Sequence, residues 1–187
     1  EFSYVLFHSK KDPSVVFVNN SEGIAVFRKN KGEFKFSEQI KKIDHEVRYM
    51  YEDNEGALWI NGNNNNVLKI EFNNSDYTHP TISVYDSTKG LPSNSDPTIL
   101  KVSDHLSVLY PGQGYFRYSS GKSPVGKQNY FYPDPKFPNI MPGTKDSIWY
   151  YLAAQYNDTI RYAFTVQQGL VKITTNKSGN SSIDLIS

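Results

Sequence analysis

Apolar and polar residues alternate in short runs along this chain, and one local pattern occurs four times. Each copy has an apolar strand, a tight polar turn and a second strand in which apolar and polar positions alternate, which is typical of an antiparallel hairpin. The second copy runs through Ala57–Ile60, Asn61–Asn66 and Val67–Phe72. The strands of the other three copies are Val15–Val18 with Ile24–Arg28, Leu106–Tyr110 with Tyr115–Tyr118, and Ile160–Val166 with Leu170–Thr174.

The copies are regularly spaced. The residues that open the second strand of each hairpin are Ile24, Val67, Tyr115 and Leu170, which lie 43, 48 and 55 residues apart. Four-stranded propeller blades repeat at about 40–50 residues, so the first two spacings fit and the last requires a loop insertion. The proline-rich stretch around Phe131–Asp146 supplies that insertion.

Each hairpin has a further strand on either side. The strands predicted before the hairpins are Val47–Tyr51, Ile99–Val102 and Ile148–Leu152, and those predicted after them are Glu33–Phe36, Thr81–Tyr85, Tyr130–Tyr132 and Ile183–Ile186. The predicted fold is therefore all-β, with about four four-stranded antiparallel β-propeller blades that form part of a larger propeller. The blades are predicted at residues 1–37, 46–86, 98–132 and 147–187.

One other fold competes with the propeller. A β-sandwich also has strands at regular spacing, but it gives no reason for one hairpin pattern to recur in register. Helix is expected to be almost absent, because the one helix-like stretch, Ser37–Ile43, is short and has no convincing apolar stripe.

Composition agrees with strands and turns and excludes several functions. Of 187 residues, 14% are aromatic, and 20 basic residues nearly balance 19 acidic ones. Lys41 and Lys42 are followed by Asp44 and Glu46, so no basic patch for nucleic acid is expected. The absence of Cys excludes disulfides and thiolate sites. No apolar run approaches about 18 residues, so no direct membrane insertion by this segment is expected.

The second predicted blade carries a specific motif. Residues Val47–Ile60, with Glu52-Asp53, Gly56 and Leu58-Trp59-Ile60, closely resemble the repeat of two-component regulator propellers. Gly90-Leu91-Pro92-Ser93-Asn94 is similar to the sequence that the same family places between blades, and Gly23-Ile24 and Gly169-Leu170 match a third element of it. The third blade lacks the Gly, and the fourth has Trp149 on its first strand instead.

The resemblance implies a function in signal input. Such propellers form the extracytoplasmic, periplasmic sensors of membrane-anchored histidine kinases and related regulators, and gut-bacterial relatives often sense oligosaccharides. We therefore expect a ligand-binding fragment of a longer protein whose output lies elsewhere, an interpretation that agrees with a chain starting directly in the apolar stretch Tyr4–Phe7.

No catalytic or metal site is expected. The histidines His8, His45, His79 and His105 have no metal-ligand spacing, and no cofactor is predicted. There is no G-x-S-x-G nucleophile motif, and acids such as Asp53, Asp96 and Asp146 lie at predicted turns, where a structural role suffices. Asp53–Gly56 lacks the later ligands of a calcium loop.

Neutral side chains are expected to gather at one end of the blades, because hairpin turns and inter-blade connections share an end in a conventional propeller. Amide groups there suit an oligosaccharide or another small polar ligand better than an anion. The predicted ligand-binding residues are Asn19, Asn20, Asn63, Asn64, Asn65, Gln113, Gln167 and Gln168 in the turns, with Ser93, Asn94 and Asp96 in a connection. The alternative for Asn63–Asn66 is a plain loop in which Asn tolerates positive φ.

Two further hypotheses remain. The chain is a pure interaction scaffold without a small-molecule site, or it is a propeller enzyme that acts on glycans. Because an open arc of blades exposes apolar faces, we also expect self-association or pairing with remaining propeller blades.

Overall fold

The computed structural model describes residues 5–20, 23–40, 43, 45, 47–73, 76–94, 96–102, 105–110, 113–121, 124–134, 150–155, 160–165, 169–176 and 181–186. The chain divides into two compact units, Glu1–Ile99 and Leu100–Ser187. Each unit is considered by itself below.

The described chain forms four four-stranded sheets, in each of which the strands lie side by side in sequence order. Sheet 1 contains β1 (Leu6–His8), β2 (Val15–Asn20), β3 (Gly23–Asn30) and β4 (Glu33–Ile40), and sheet 2 contains β5 (Met50–Glu52), β6 (Leu58–Asn61), β7 (Val67–Asn73) and β8 (Asp76–Tyr85). Sheet 3 contains β9 (Thr98–Val102), β10 (His105–Tyr110), β11 (Gly114–Ser119) and β12 (Tyr130–Pro133). Sheet 4 contains β13 (Tyr150–Gln155), β14 (Ile160–Thr165), β15 (Gly169–Thr175) and β16 (Ser181–Leu185). Sheets 1, 2 and 4 are antiparallel throughout.

The prediction of an all-β chain of four-stranded sheets is confirmed, and all four hairpins lie where the sequence places them. The strand bounds differ by a few residues. The helix-like stretch that begins at Ser37 continues β4 as far as Ile40, and the one helical segment among the described residues is a 3₁₀ turn at Ser87–Lys89. No described helix has the length and apolar character needed to cross a membrane.

Turn chemistry fixes the hairpins locally. Between β3 and β4, Lys31 (φ 50°) and Gly32 (φ 91°) both have positive φ, as the right-handed twist of a two-residue hairpin demands. Gly23 (φ 119°), the first residue of β3, allows the chain near Ile43 to approach closely. A Cβ atom at this position would lie 2.2 Å from the Ile43 carbonyl oxygen. The segment that leaves sheet 1 can therefore pass directly beneath this hairpin.

Sheets 1 and 2 pack face to face around one apolar core in the first unit. The Phe17 ring on β2 stacks on Phe72 with 5.9 Å between centroids and meets Tyr77 edge-on at 5.5 Å. Such aromatic pairs add to the free energy already gained by burying apolar area. The other core residues include Val15, Ile24, Val26 and Ile40 from sheet 1 and Leu58, Ile60, Leu68 and Ile70 from sheet 2.

The two sheets contact each other near their first strands and at their last strands. The segment after β1 contacts the end of β5, since the Ser9 hydroxyl donates to Glu52 (2.6 Å). At the far side of the sheets, β4 packs against β8. First strand is therefore near first strand, and last strand lies against last strand.

The second unit has its own buried aromatics. Tyr110 and Phe131 are fully buried. Tyr110 meets Phe116 edge-on with 5.7 Å between ring centroids, and Tyr118 lies 5.3 Å from Phe131. The predicted proline-rich insertion lies mostly outside the described residues, because the description stops at residue 134 and resumes at 150.

Candidate functional site

The Asp53 carboxylate organises the turn between β5 and β6. One of its oxygens accepts from the backbone N–H groups of Glu55 (3.0 Å) and Ala57 (2.9 Å). The other accepts from the indole Nε1–H of Trp59 at 2.8 Å. Gly56 provides the positive φ of 86° that this turn requires. The Asp-x-x-Gly-x-x-Trp part of the motif is thus one hydrogen-bonded unit.

Glu52 joins the two sheets. Its side chain is 5% exposed. One carboxylate oxygen accepts the Ser9 hydroxyl proton, and the other accepts from the backbone N–H groups of Lys10 (2.5 Å) and Lys11 (3.3 Å). A buried carboxylate is tolerated when donors satisfy it in this way. In the sequence, Glu52 stood out only as part of the family motif, and its contact with the Ser9 segment was not predicted.

Two asparagines hold one peptide group at the opposite end of the sheets. Asn19 Nδ2 donates to the Val47 carbonyl oxygen at 2.8 Å. The N–H of the same peptide, that of Arg48, donates to Asn61 Oδ1 at 2.8 Å, and the N–H of Tyr49 donates to the same oxygen at 3.0 Å. The connection between sheets is therefore held from both sides.

The turn between β6 and β7 contains three of the amide residues predicted to bind ligand, Asn63, Asn64 and Asn65. Asn64 (φ 58°) and Asn65 (φ 62°) occupy the left-handed region, which asparagine tolerates better than most residues. Asn65 Nδ2 donates to the Ser93 carbonyl oxygen at 2.9 Å. This bond brings the turn and the next connection together at one end of the first unit.

The predicted site residues have different surroundings. Asn63, Asn64, Ser93, Asn94 and Asp96 are exposed, and Asn65 is half-buried. In contrast, Asn19 is 1% exposed, and its contact with Val47 gives it a structural role. Its Oδ1 accepts no hydrogen bond from the described residues.

The other four predicted site residues lie on other elements of the chain or outside its described residues. Asn20 ends β2 opposite Gly23. In the second unit, Gln113 is exposed in the turn after β10. Gln167 and Gln168 lie outside the described residues. The convergence of all four hairpin turns on one surface therefore stays a prediction.

A pocket of about 570 Å³ lies at the other end of sheets 1 and 2. Glu52, Glu55 and Glu71 give it a negative lining, while Phe72 and Tyr77 form an apolar wall. The Lys11 ammonium donates to the Glu55 carbonyl oxygen at its rim. Glu52 and Glu71 are already engaged, by the Ser9 segment and by Lys69 respectively. The pocket is thus chemically unlike the neutral amide end.

A buried lysine is the least expected ionisable group of sheet 2. Lys69 is 8% exposed, donates to Glu71 (2.7 Å) and lies 5.6 Å from the Trp59 ring centroid. Burial by itself lowers the pKa of Lys69, but the hydrogen bond to Glu71 and the charges of Glu71 and Asp53 outweigh it, so the pKa is raised. Lys69 therefore remains a cation beside the indole.

Three Asp-x-Ser/Thr turns recur in the first unit. In each, the carboxylate accepts from both the backbone N–H and the hydroxyl of the residue two positions on. These bonds favour the ionised form, so the pKa values of Asp12 and Asp86 are lowered and that of Asp76 falls to about 2.

Three of the histidines have local hydrogen-bond partners. His8 pairs with the Pro13 carbonyl oxygen, His45 with the Asn61 carbonyl oxygen, and His79 with Asp76. Within the described part of the chain, no group of three His, Asp or Glu side chains is close enough to hold a metal ion.

Comparison of the chain with family models, with curated proteins and with solved structures found no match. Function is therefore inferred from the geometry described above.

We expect Asp53→Ala to lower the free energy of unfolding by about 2–3 kcal/mol, because it removes an ionised acceptor from three donors, one of them the indole of a buried tryptophan. Asn54→Ala is the matched control in the same exposed turn and is expected to change it by less than about 0.5 kcal/mol. Urea unfolding measures both. Equal effects of the two substitutions would contradict the role given to Asp53.

We expect the pKa of Asp76 to depend on Thr78. The pKa of this carboxyl in the folded protein is about 2, whereas the ordinary pKa of an aspartate side chain is 3.8. Its contribution to stability is therefore complete above pH 3.8 and is lost as the pH falls towards 2. Thr78→Ala removes the hydroxyl donor and should raise this pKa, whereas Thr81→Ala should not. Carboxyl ¹³C NMR titration measures both, and an unchanged midpoint in Thr78→Ala would refute the assignment.

Proposed function

We propose that this chain is part of a non-catalytic, ligand-sensing β-propeller of the two-component regulator type. In this proposal it lies in the periplasm as the input segment of a membrane-anchored sensor, and it binds an oligosaccharide or another small polar ligand.

The packing of sheets 1 and 2 supports the propeller part of this proposal. Blades are radial copies of one meander, so corresponding strands of neighbouring blades should lie side by side and run the same way. The Ser9–Glu52 hydrogen bond joins the ends of the first strands of the two sheets, and the last strands, β4 and β8, contact each other. Both contacts agree with a side-by-side placement of corresponding strands. In a β-sandwich, by contrast, the two sheets can pack without each strand lying beside its counterpart in the other sheet.

The observation that carries the ligand-binding part is the hydrogen bond from Asn65 to the Ser93 carbonyl oxygen. It fixes the turn beside the connection and leaves Asn63, Asn64 and Asn94 exposed around it. Amide groups offer both donors and acceptors without charge, which is what a ligand with several hydroxyl groups requires. Because the backbone of the turn is already held, little conformational entropy is lost when a ligand binds.

A second candidate function, a protein–protein interaction or dimerisation scaffold, is favoured by one specific observation. Leu6, Phe34 and Phe36 are exposed on one face of sheet 1. A glycan-active propeller enzyme has no comparable support, because Glu52, Asp53 and Glu71 are each occupied by structural partners.

We expect the double substitution Asn63→Ala/Asn64→Ala to weaken oligosaccharide binding at least tenfold, since each lost amide contact is worth on the order of 1 kcal/mol. The matched control is Asn73→Ala, which makes the same change at the opposite end of β7 and beside the acidic pocket. Titration calorimetry against a panel of neutral oligosaccharides measures both.

Four outcomes distinguish the hypotheses. Loss of binding only in the double variant supports the proposed site. Loss only in Asn73→Ala moves the site to the pocket and overturns the proposal. Absence of binding by any oligosaccharide favours the scaffold, and release of cleaved products in the same mixtures would favour the enzyme.

A further inference from the structure

The acidic pocket, which Glu52, Glu55 and Glu71 line at one end of the first unit, is large enough to hold a small molecule. Its volume is about 570 Å³, and small-molecule sites in proteins measure about 300–1,000 Å³. The segment after β1, the turn before β6 and the strands β7 and β8 all contribute to its lining. A bound molecule would therefore contact sheets 1 and 2 at once.

The apolar wall of the acidic pocket belongs to the aromatic part of the core. Phe72 and Tyr77 line the pocket, with 4.6 Å between their ring centroids. Phe17, which is not part of the lining, stacks on Phe72 and meets Tyr77 edge-on, so both rings are fixed by packing. The Arg28 guanidinium lies 4.9 Å from the centroid of the Tyr77 ring, so this aromatic group already accommodates one cation. An apolar group that entered the pocket would extend the core and leave water.

The charges around the acidic pocket favour a cation. The carboxylates in its lining are those of Asp12, Glu52, Glu55 and Glu71. The ammonium of Lys11 is the basic group of the lining, and Lys69, which lies outside it, neutralises Glu71. Four carboxylates against these two ammonium groups leave two net negative charges. An anion would be repelled, and a neutral molecule would gain nothing from this charge.

Glu55 is the carboxylate with hydrogen-bonding capacity left for a ligand. The side chain of Glu52 accepts from three donors of the Ser9 segment. Asp12 accepts from both groups of Ser14, and Glu71 accepts from Lys69. The backbone of Glu55 is bonded within its turn and to Lys11, but its exposed carboxylate accepts no hydrogen bond from the described residues. A ligand donor near Glu55 would therefore displace only water.

We propose that the acidic pocket binds a small organic amine, whose ammonium group lies at Glu55 and whose apolar body packs on Phe72 and Tyr77. Hydrogen bonds between an ammonium and a carboxylate are stronger than those between neutral groups, which gives the amine its advantage over a neutral molecule of the same shape. This inference goes beyond the proposed function and does not rest on it, because the pocket lies at the opposite end of β7 from the amide turn.

Lys11 is the internal competitor of such a ligand. Its ammonium donates to the Glu55 carbonyl oxygen at the rim of the pocket. Its aliphatic stem lies against the turn, since a Cβ atom at Gly56 would clash with Lys11 Cδ. The positive charge of Lys11 opposes the entry of a second cation, whereas its stem forms part of the wall. Removing the charge and keeping the stem should therefore favour the amine.

Three probes that share a phenyl ring and differ in charge test the proposal: phenethylamine, phenethyl alcohol and hydrocinnamate. Ligands of this size bind in roughly the millimolar range, which NMR titration of the full chain measures. We expect phenethylamine to bind at least tenfold more tightly than hydrocinnamate, with phenethyl alcohol between them. The backbone amide signals of Gly56 and Ala57 should shift, whereas that of Asn64 at the other end should not. Equal affinities of the three probes, or unchanged signals at Gly56 and Ala57, would overturn the proposal.

Two substitutions with opposite expected effects test the roles of the charges. Glu55→Gln should weaken phenethylamine binding at least threefold, and Lys11→Met, which keeps the stem, should strengthen it about twofold or more. Neither should change the affinity for phenethyl alcohol, whereas a variant that fails to fold would lose both probes. The control is Glu33→Gln, which makes the same change at an exposed glutamate of β4 and should leave the affinity unchanged.

Equal weakening by Glu55→Gln and Glu33→Gln, or weaker binding to Lys11→Met, would contradict the proposed site. Titration of Glu55→Gln with neutral oligosaccharides separates this proposal from the proposed function, since binding at the amide turn should be unaffected.

Discussion

The peptide group between Val47 and Arg48 determines how sheet 2 lies on sheet 1. Its carbonyl oxygen accepts from Asn19 of sheet 1, and its N–H donates to Asn61 of sheet 2. The two asparagines occupy similar positions in their sheets, since Asn61 is the last residue of β6 and Asn19 is the last but one of β2, and each lies opposite an apolar residue near the start of the third strand. At the other end of the sheets, Glu52 makes the matching connection to Ser9. The apolar core alone would allow the sheets to slide, whereas these two polar contacts define one register.

Much of the fold could be predicted from the sequence because strand and turn chemistry are local. Alternation of apolar and polar residues located the four hairpins, and Gly56 and the asparagines marked turns that require positive φ. Strand ends were less predictable. β8 begins at Asp76, five residues before the predicted Thr81, because its pairing with β7 continues past a bulge near Glu71. Bulges depend on the partner strand and leave little trace in the strand's own residues.

The site was predictable only in part, because burial is a property of packed sheets. The sequence grouped Asn19 with Asn63 and Asn64 as polar turn residues, yet Asn19 is buried and bound to Val47, while the other two are exposed. Lys69 is a polar residue in an alternating strand, and this pattern alone predicts an exposed side chain. It is buried because Trp59, directly opposite on β6, lies on the same face. The sequence signal for this burial was the spacing of Trp59 and Lys69 in their hairpin, which places the two residues opposite each other.

In the proposed function, a fixed connection between the sheets keeps the amide end preformed for a ligand, so the Val47–Arg48 contact is the central claim to test. Native-state hydrogen exchange by NMR measures it directly at the amides of Arg48 and Tyr49, which lie outside any strand and donate to Asn61. Arg48 is exposed, so slow exchange there requires the hydrogen bond rather than burial. The structure predicts slow exchange of both amides in the unaltered chain and at least tenfold faster exchange in Asn61→Ala. Fast exchange of both amides in the unaltered chain would contradict it.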